Sequence, residues 1–203
     1  MNKIIISFIV SLLAVNLSFG QKKEIEYIES PWLLSLAIKA EILTYYNVRY
    51  TRAYYNIEYP MGDVPENIGC CTDVIIRAYR LMDIDLQQLV HEDMKANFDK
   101  YPKIWGLTKT DTNIDHRRVP NLMTFFERNG NWRPITNNPK DYKPGDIVCW
   151  NLGSDKHIGI VSNKKSKENP QRYMIIHNIG DGQVFEDCLF NWKIIGHYTF
   201  IRK

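Results

Sequence analysis

Cys71-Thr72-Asp73-Val74-Ile75-Ile76-Arg77-Ala78-Tyr79-Arg80 carries apolar side chains at helical spacing, and after Pro144-Gly145 the chain changes to short β-rich runs. Val74, Ile75, Ala78, Leu81 and Met82 recur on one face, so the spacing predicts a helix from Cys71 to about residue 82 with that face in the core. Cys71 stands in the first turn of this helix. A thiol there faces unpaired backbone N–H groups and the positive end of the helix dipole, and both favour thiolate over thiol.

Working outward, strand-like runs are expected at 146–151, 157–162, 173–178, 183–188 and 193–202. Gly153-Ser154-Asp155 and Gly180-Asp181-Gly182 supply turns between them. Upstream, Ser30-Pro31 suits an N-cap and a first helical position for a helix to about residue 46. An irregular aromatic segment covers 49–69. Further helices are expected at 85–99 and 119–128, with a polar loop at 108–118 between them. Asn129-Gly130 after the last helix suits a left-handed cap. Helices followed by strands predict one α+β domain over residues 21–203, built on a mainly antiparallel five- to six-stranded sheet.

The 203-residue chain is long enough for a single domain with a real core. Residues 1–20 read as a secretory signal, with Lys3 ahead of an apolar run and Ser18-Phe19-Gly20 at the cut. Gln21 then offers no lipid-accepting cysteine, so a secreted or periplasmic protein without a stable membrane anchor is expected. Counts of 26 basic and 23 acidic side chains leave no electrostatic case for nucleic acid. A monomer is expected. Of the four cysteines, Cys149 and Cys188 are the pair open to a disulfide, whereas adjacent Cys70 and Cys71 are badly placed to join each other.

Several blocks carry a family resemblance. Tyr59-Pro60-Met61-Gly62, Gly69-Cys70-Cys71-Thr72-Asp73, Pro144-Gly145-Asp146-Ile147-Val148, His157-Ile158-Gly159-Ile160-Val161 and Met174-Ile175-Ile176-His177 resemble successive blocks of the NlpC-type papain-like cysteine peptidases. Those enzymes act on the bacterial cell wall. Within that superfamily the chain is similar to an exported bacterial family of unknown function, through Cys71-Thr72-Asp73-Val74, the block from Asn113-Ile114-Asp115-His116 to Asn121-Leu122, and His177-Asn178-Ile179-Gly180.

The resemblance implies a papain-like core in which Cys71 attacks an amide carbonyl, His157 serves as general base and acid, and His177 orients His157. It also implies Tyr59 as an oxyanion donor beside the Cys71 N–H. Peptidoglycan stem peptide is the implied substrate, and no cofactor or metal is required. The superfamily often has Asp where this chain has Cys70, which leaves open which thiol of the pair is the nucleophile.

Side chains alternate along a strand, so only one of His177 and Asn178 points at His157. The polar stretch Asp115-His116-Arg117-Arg118 reads either as a substrate-binding loop, with His116 and Arg117 beside Asp73 and Asn178, or as a structural lock. Two other functions are open: a silent module that binds a cell-wall ligand, and a zinc hydrolase using His157, His177, His116 and a cysteine or carboxylate. The zinc reading has neither His-Glu-x-x-His nor close Cys-x-x-Cys spacing to support it.

Overall fold

A computed structural model describes residues 30–180 and 182–202, so the expected signal segment lies outside the described residues. Helix α1 (Pro31–Leu43) opens the chain, and a two-residue parallel pair, β1 (Arg49–Tyr50) with β2 (Ile68–Gly69), brackets the aromatic segment. Helices α2 (Cys71–Arg80), α3 (Leu86–Ala96) and α4 (Val119–Asn129) follow. A six-stranded sheet comes last, made of β3 (Asn131–Trp132), β4 (Ile147–Asn151), β5 (Lys156–Lys165), β6 (Tyr173–Asn178), β7 (Gln183–Glu186) and β8 (Lys193–Thr199). Its order is β3-β8-β4-β5-β6-β7, and every pairing is antiparallel.

Alternation along the central strands divides the core between two faces. Ile147, Cys149, Ile158, Ile160 and Ile176 meet the helices, packing with Leu36 of α1, Val74 and Ile75 of α2, and Phe126 of α4. Val148, Trp150, Val161 and Ile175 point the other way, onto Tyr142, Cys188 and Leu189. The Trp150 indole N–H donates to the Leu189 carbonyl at 2.9 Å. Strands buried on both faces read as nearly continuous apolar runs, which is the pattern of β4 and β5.

Several expectations are corrected. Helix α1 stops at Leu43, and the Ser30 side chain makes no capping bond. Gly130 is extended at φ −98°, because the chain passes straight from α4 into β3 beside β8. Glycine is needed there for close approach, since a Cβ would lie 2.7 Å from the Phe126 carbonyl oxygen and 2.8 Å from that of Thr199. Leu81 is exposed. Helix α2 is instead buried on almost every side, and Arg77 satisfies its charge beneath the 51–69 segment, pairing with Asp63 at 3.0 Å and donating to the Ile68 carbonyl at 3.0 Å. All four cysteines are free thiols. Cys149 and Cys188 do not pair because they belong to opposite faces of the sheet. Among the described residues, no helix is long and apolar enough to cross a membrane.

Candidate active site

Cys71 reaches its position through a local knot of hydrogen bonds. Strand β2 delivers the chain to Cys70 in extended conformation, and the Asp73 carboxylate reaches back to accept the Cys70 N–H at 2.7 Å. Thr72 Oγ1 donates to the Arg117 carbonyl at 3.1 Å and lies 3.1 Å from Cys70 Sγ. The Arg117 guanidinium closes the knot, with Nε 2.8 Å and Nη2 3.0 Å from the two Asp73 oxygens. This buried two-point ion pair pins the turn Asp115–Arg117 onto the start of α2.

A cleft of ≈ 830 Å³ runs past this helix end. Cys70, Cys71 and His157 line it together with Tyr50, Tyr54, Arg52, Trp105 and Arg118. His157 enters from the start of β5, opposite Trp150. Its Nε2 lies 2.8 Å from His177 Nδ1 at the end of β6. Gly159 lets the two rings approach: a Cβ there would stand 2.7 Å from Ile175 Cγ2 and 3.2 Å from His177 Cβ. Beyond His177, Glu186 Oε2 lies 3.0 Å from Nε2, and Cys188 Sγ lies 3.6 Å from the same nitrogen.

The chain of contacts dictates the tautomers. As a carboxylate, Glu186 only accepts, so His177 Nε2 carries a proton and its Nδ1 offers a lone pair. His157 Nε2 therefore donates to it, leaving His157 Nδ1 as the basic nitrogen. Burial, then the neighbouring His177, pushes the His157 pKa down to about 3, and burial also lowers His177 against the opposing pull of Glu186. Both rings are neutral at rest.

The thiols depart from the expectation of a thiolate prepared by the helix alone. Cys71 is pushed well above the usual thiol range by its hydrogen bond to Cys70 and by burial, against a lowering contribution from the Ile158 N–H. Cys70 is shifted the opposite way, first by that same hydrogen bond from Cys71. Two adjacent thiols cannot both ionise cheaply, so the loss of a proton from one opposes its loss from the other. Among the described residues, no hydrogen bond joins Cys71 Sγ to His157. The sulfur does neighbour the Ile158 N–H, one residue along from that ring.

Other expected site residues are placed differently. Tyr59 is off the cleft wall, edge-on to His91 at 5.1 Å between ring centroids. Asp73 is buried in its pair with Arg117, and Arg117 does line the cleft as expected, with its guanidinium committed to that carboxylate and to the Ala53 carbonyl. His116 is buried outside the cleft wall, with burial lowering its pKa to about 3. That position also removes it from the histidine group imagined for zinc. Asn178 is fully buried on the sheet face opposite to His177 and is likewise not a cleft residue.

Two residues that sequence reading passed over take part instead. Tyr50 lines the cleft near both thiols, and burial, then Cys71, pushes its hydroxyl up to about 12. Glu186 completes the histidine chain. The strand pattern of 183–188 was readable, but Glu186 becomes His177's diagonal neighbour only through the β6–β7 register, Ile175 to Glu186 and His177 to Val184.

Residues 37–200 match the family described as Domain of unknown function (DUF1287). The chain belongs to that family. It is also 51% identical over 155 residues to the Uncharacterized protein YijF of Escherichia coli (strain K12), which covers 76% of this chain and 75% of the relative. No solved structure matches the chain. The DUF1287 match spans both halves of the cleft, from α1 to the last strand.

Proposed function

We propose that this DUF1287 protein is an exported cysteine hydrolase related to the NlpC-type papain-like peptidases, cleaving an amide bond in peptidoglycan stem peptides. One observation carries the reading. A cysteine at a helix N-terminus shares a cleft with a histidine whose far nitrogen is held 2.8 Å from a second histidine.

In this reading Cys71 Sγ turns from Cys70 toward His157 Nδ1, gives up its proton there and attacks the amide carbonyl. His157, now protonated, is steadied by His177 and Glu186 and passes the proton to the leaving amine. Water attacks the resulting thioester with the same nitrogen as base. The Cys71 backbone N–H and the Tyr50 hydroxyl are the candidate donors to the oxyanion, with Tyr50 taking the place expected for Tyr59. Arg118 stacks on Trp105 at 4.1 Å, and among the described residues neither Arg118 nor Lys156 joins an ion pair on the cleft wall. A peptide bearing free carboxylates suits such a wall.

The alternative is a catalytically silent module that binds the same kind of ligand. It is favoured by the Cys71 thiol being held protonated. Digestion of purified peptidoglycan by the protein and by Cys71→Ser, followed by mass analysis of the soluble fragments, separates the two. Fragments from the parent protein alone are expected. Equal release by both, or release by neither, removes the proposed hydrolysis of peptidoglycan.

A further inference from the structure

The geometry points to a second use for the far end of the histidine chain: we propose that His177, Glu186 and Cys188 bind a zinc-like divalent cation, and that loading this site disarms His157. The three donor atoms lie within 4.8 Å of one another. Glu186 Oε2 is 3.0 Å and Cys188 Sγ 3.6 Å from His177 Nε2. Tetrahedral zinc, with bonds of about 2.0–2.3 Å, sets its ligands roughly 3.3–3.8 Å apart, so small side-chain adjustments close the site. Imidazole, thiolate and carboxylate are donors zinc accepts together, whereas the thiolate disfavours calcium and magnesium.

The fold supplies both enclosure and access. His177 and Cys188 are sealed in the core, while the Glu186 side chain is 42% exposed and opens a way in, leaving a fourth position for water. Asp187 does not compete as a ligand, being held by Arg172 and Ser166. On the side away from the cation, His177 Nδ1 is already partnered by His157 Nε2, as metal-bound imidazoles usually are.

Loading the site reverses the tautomers. The cation takes the Nε2 lone pair of His177, so that ring carries its proton on Nδ1 and donates to His157 Nε2. His157 then holds its own proton on Nδ1, the nitrogen that would have accepted from Cys71. Each ring keeps one proton throughout. The Cys188 S–H bond is replaced by a sulfur–metal bond, and the thiol proton leaves to solvent. The disarming half rests on the hydrolase reading above; binding itself does not.

The test uses Co2+ as a spectroscopic probe and Zn2+ as competitor on the metal-free protein. One equivalent of Co2+ is expected to give a thiolate-to-cobalt charge-transfer band that Zn2+ abolishes. The band survives in Cys71→Ala and is lost in Cys188→Ala. Glu186→Ala, at the exposed rim, is expected to weaken Co2+ binding at least about tenfold. An absent band, or one indifferent to both Cys188→Ala and Glu186→Ala, overturns the site.

Alkylation of Cys71 by iodoacetamide, located by peptide mass, reads the second half. Zn2+ is expected to slow it by about a hundredfold, the lower range of what a positioned base supplies, and to have no effect in Cys188→Ala. An unchanged rate despite the cobalt band overturns the disarming. Cys71 inert even without metal strikes at the hydrolase reading, while the cobalt result still decides the site.

Discussion

Replacing Arg117 by methionine tests the lock that presents Cys71 to the cleft. The guanidinium makes two hydrogen bonds to Asp73, at 2.8 and 3.0 Å, and a third at 3.0 Å to the Ala53 carbonyl. The ion-paired side chains are 2% and 3% exposed, so neither charge has water to fall back on. Breaking a buried pair from one side costs about 3–5 kcal/mol, roughly a fifth or more of the stability of a typical domain. Arg117→Met is therefore expected to lower the unfolding free energy at pH 7 by about that amount in urea titrations at unchanged m-value. In a cycle with Asp73→Asn, which keeps an oxygen for the Cys70 N–H, a coupling of about 2 kcal/mol or more is expected.

The pH dependence gives the same lock a sign. Burial pushes the Asp73 carboxyl up, but the Arg117 hydrogen bonds and charge, with the Cys70 N–H and Arg77, outweigh it and hold the pKa below the usual range. A depressed carboxyl contributes stability that is complete above the unfolded value of about 3.9 and is lost as pH falls through the lower folded value. In Arg117→Met the burial remains without its main compensation, so the folded value rises. The penalty at pH 7 then shrinks on acidification, and the difference carried by Asp73 disappears only once pH has fallen below its depressed folded value in the parent protein. A loss under about 1 kcal/mol at pH 7, as for a surface pair, refutes the reasoning, and so does a penalty independent of pH between 7 and 3.

Four further outcomes are expected. Gly159→Ala, whose methyl would meet Ile175 and His177, is expected to cost about 1–3 kcal/mol and to break the His157–His177 bond, seen as loss of its shared-proton signal by NMR. Tyr50→Phe is expected to lower the turnover of peptidoglycan by roughly 100-fold if its hydroxyl serves the oxyanion, whereas Tyr59→Phe leaves turnover within about twofold. Gly145→Ala combines a φ of +85° with a Cβ 2.2 Å from the Leu33 carbonyl oxygen, so thermal melts are expected to show a loss of roughly 3 kcal/mol or more. Leu36→Ala, at a fully buried position in the helix–sheet core, is expected to cost about 2–5 kcal/mol in the same melts.

Helical periodicity and β-rich runs located α2, α3, α4 and five of the sheet's six strands, because those signals depend on nearest neighbours and on one buried face. Strand β3 escaped notice. At two residues, Asn131 and Trp132, it has no periodicity to read, and it exists only because β8 offers an edge. His157 and His177 were legible as a pair for a similar reason: one begins a strand, the other ends the next, and antiparallel neighbours bring those ends together.

Charge and aromatic character were poorer guides than strand position. Arg117 and Asp73 read as polar residues available to substrate, and tertiary closure instead spent them on each other. Tyr59 and Tyr50 are equivalent as letters, yet only Tyr50 lies on the parallel pair that feeds α2, opposite Gly69. The linear chain by itself determined which segments are helix or strand and which two histidines stand on neighbouring strands, since local pattern governs both. Only the folded chain decided what each buried charge pairs with, which tyrosine faces the thiols, and that Glu186 sets the proton positions on both imidazoles, because these depend on registers and contacts between residues far apart in sequence.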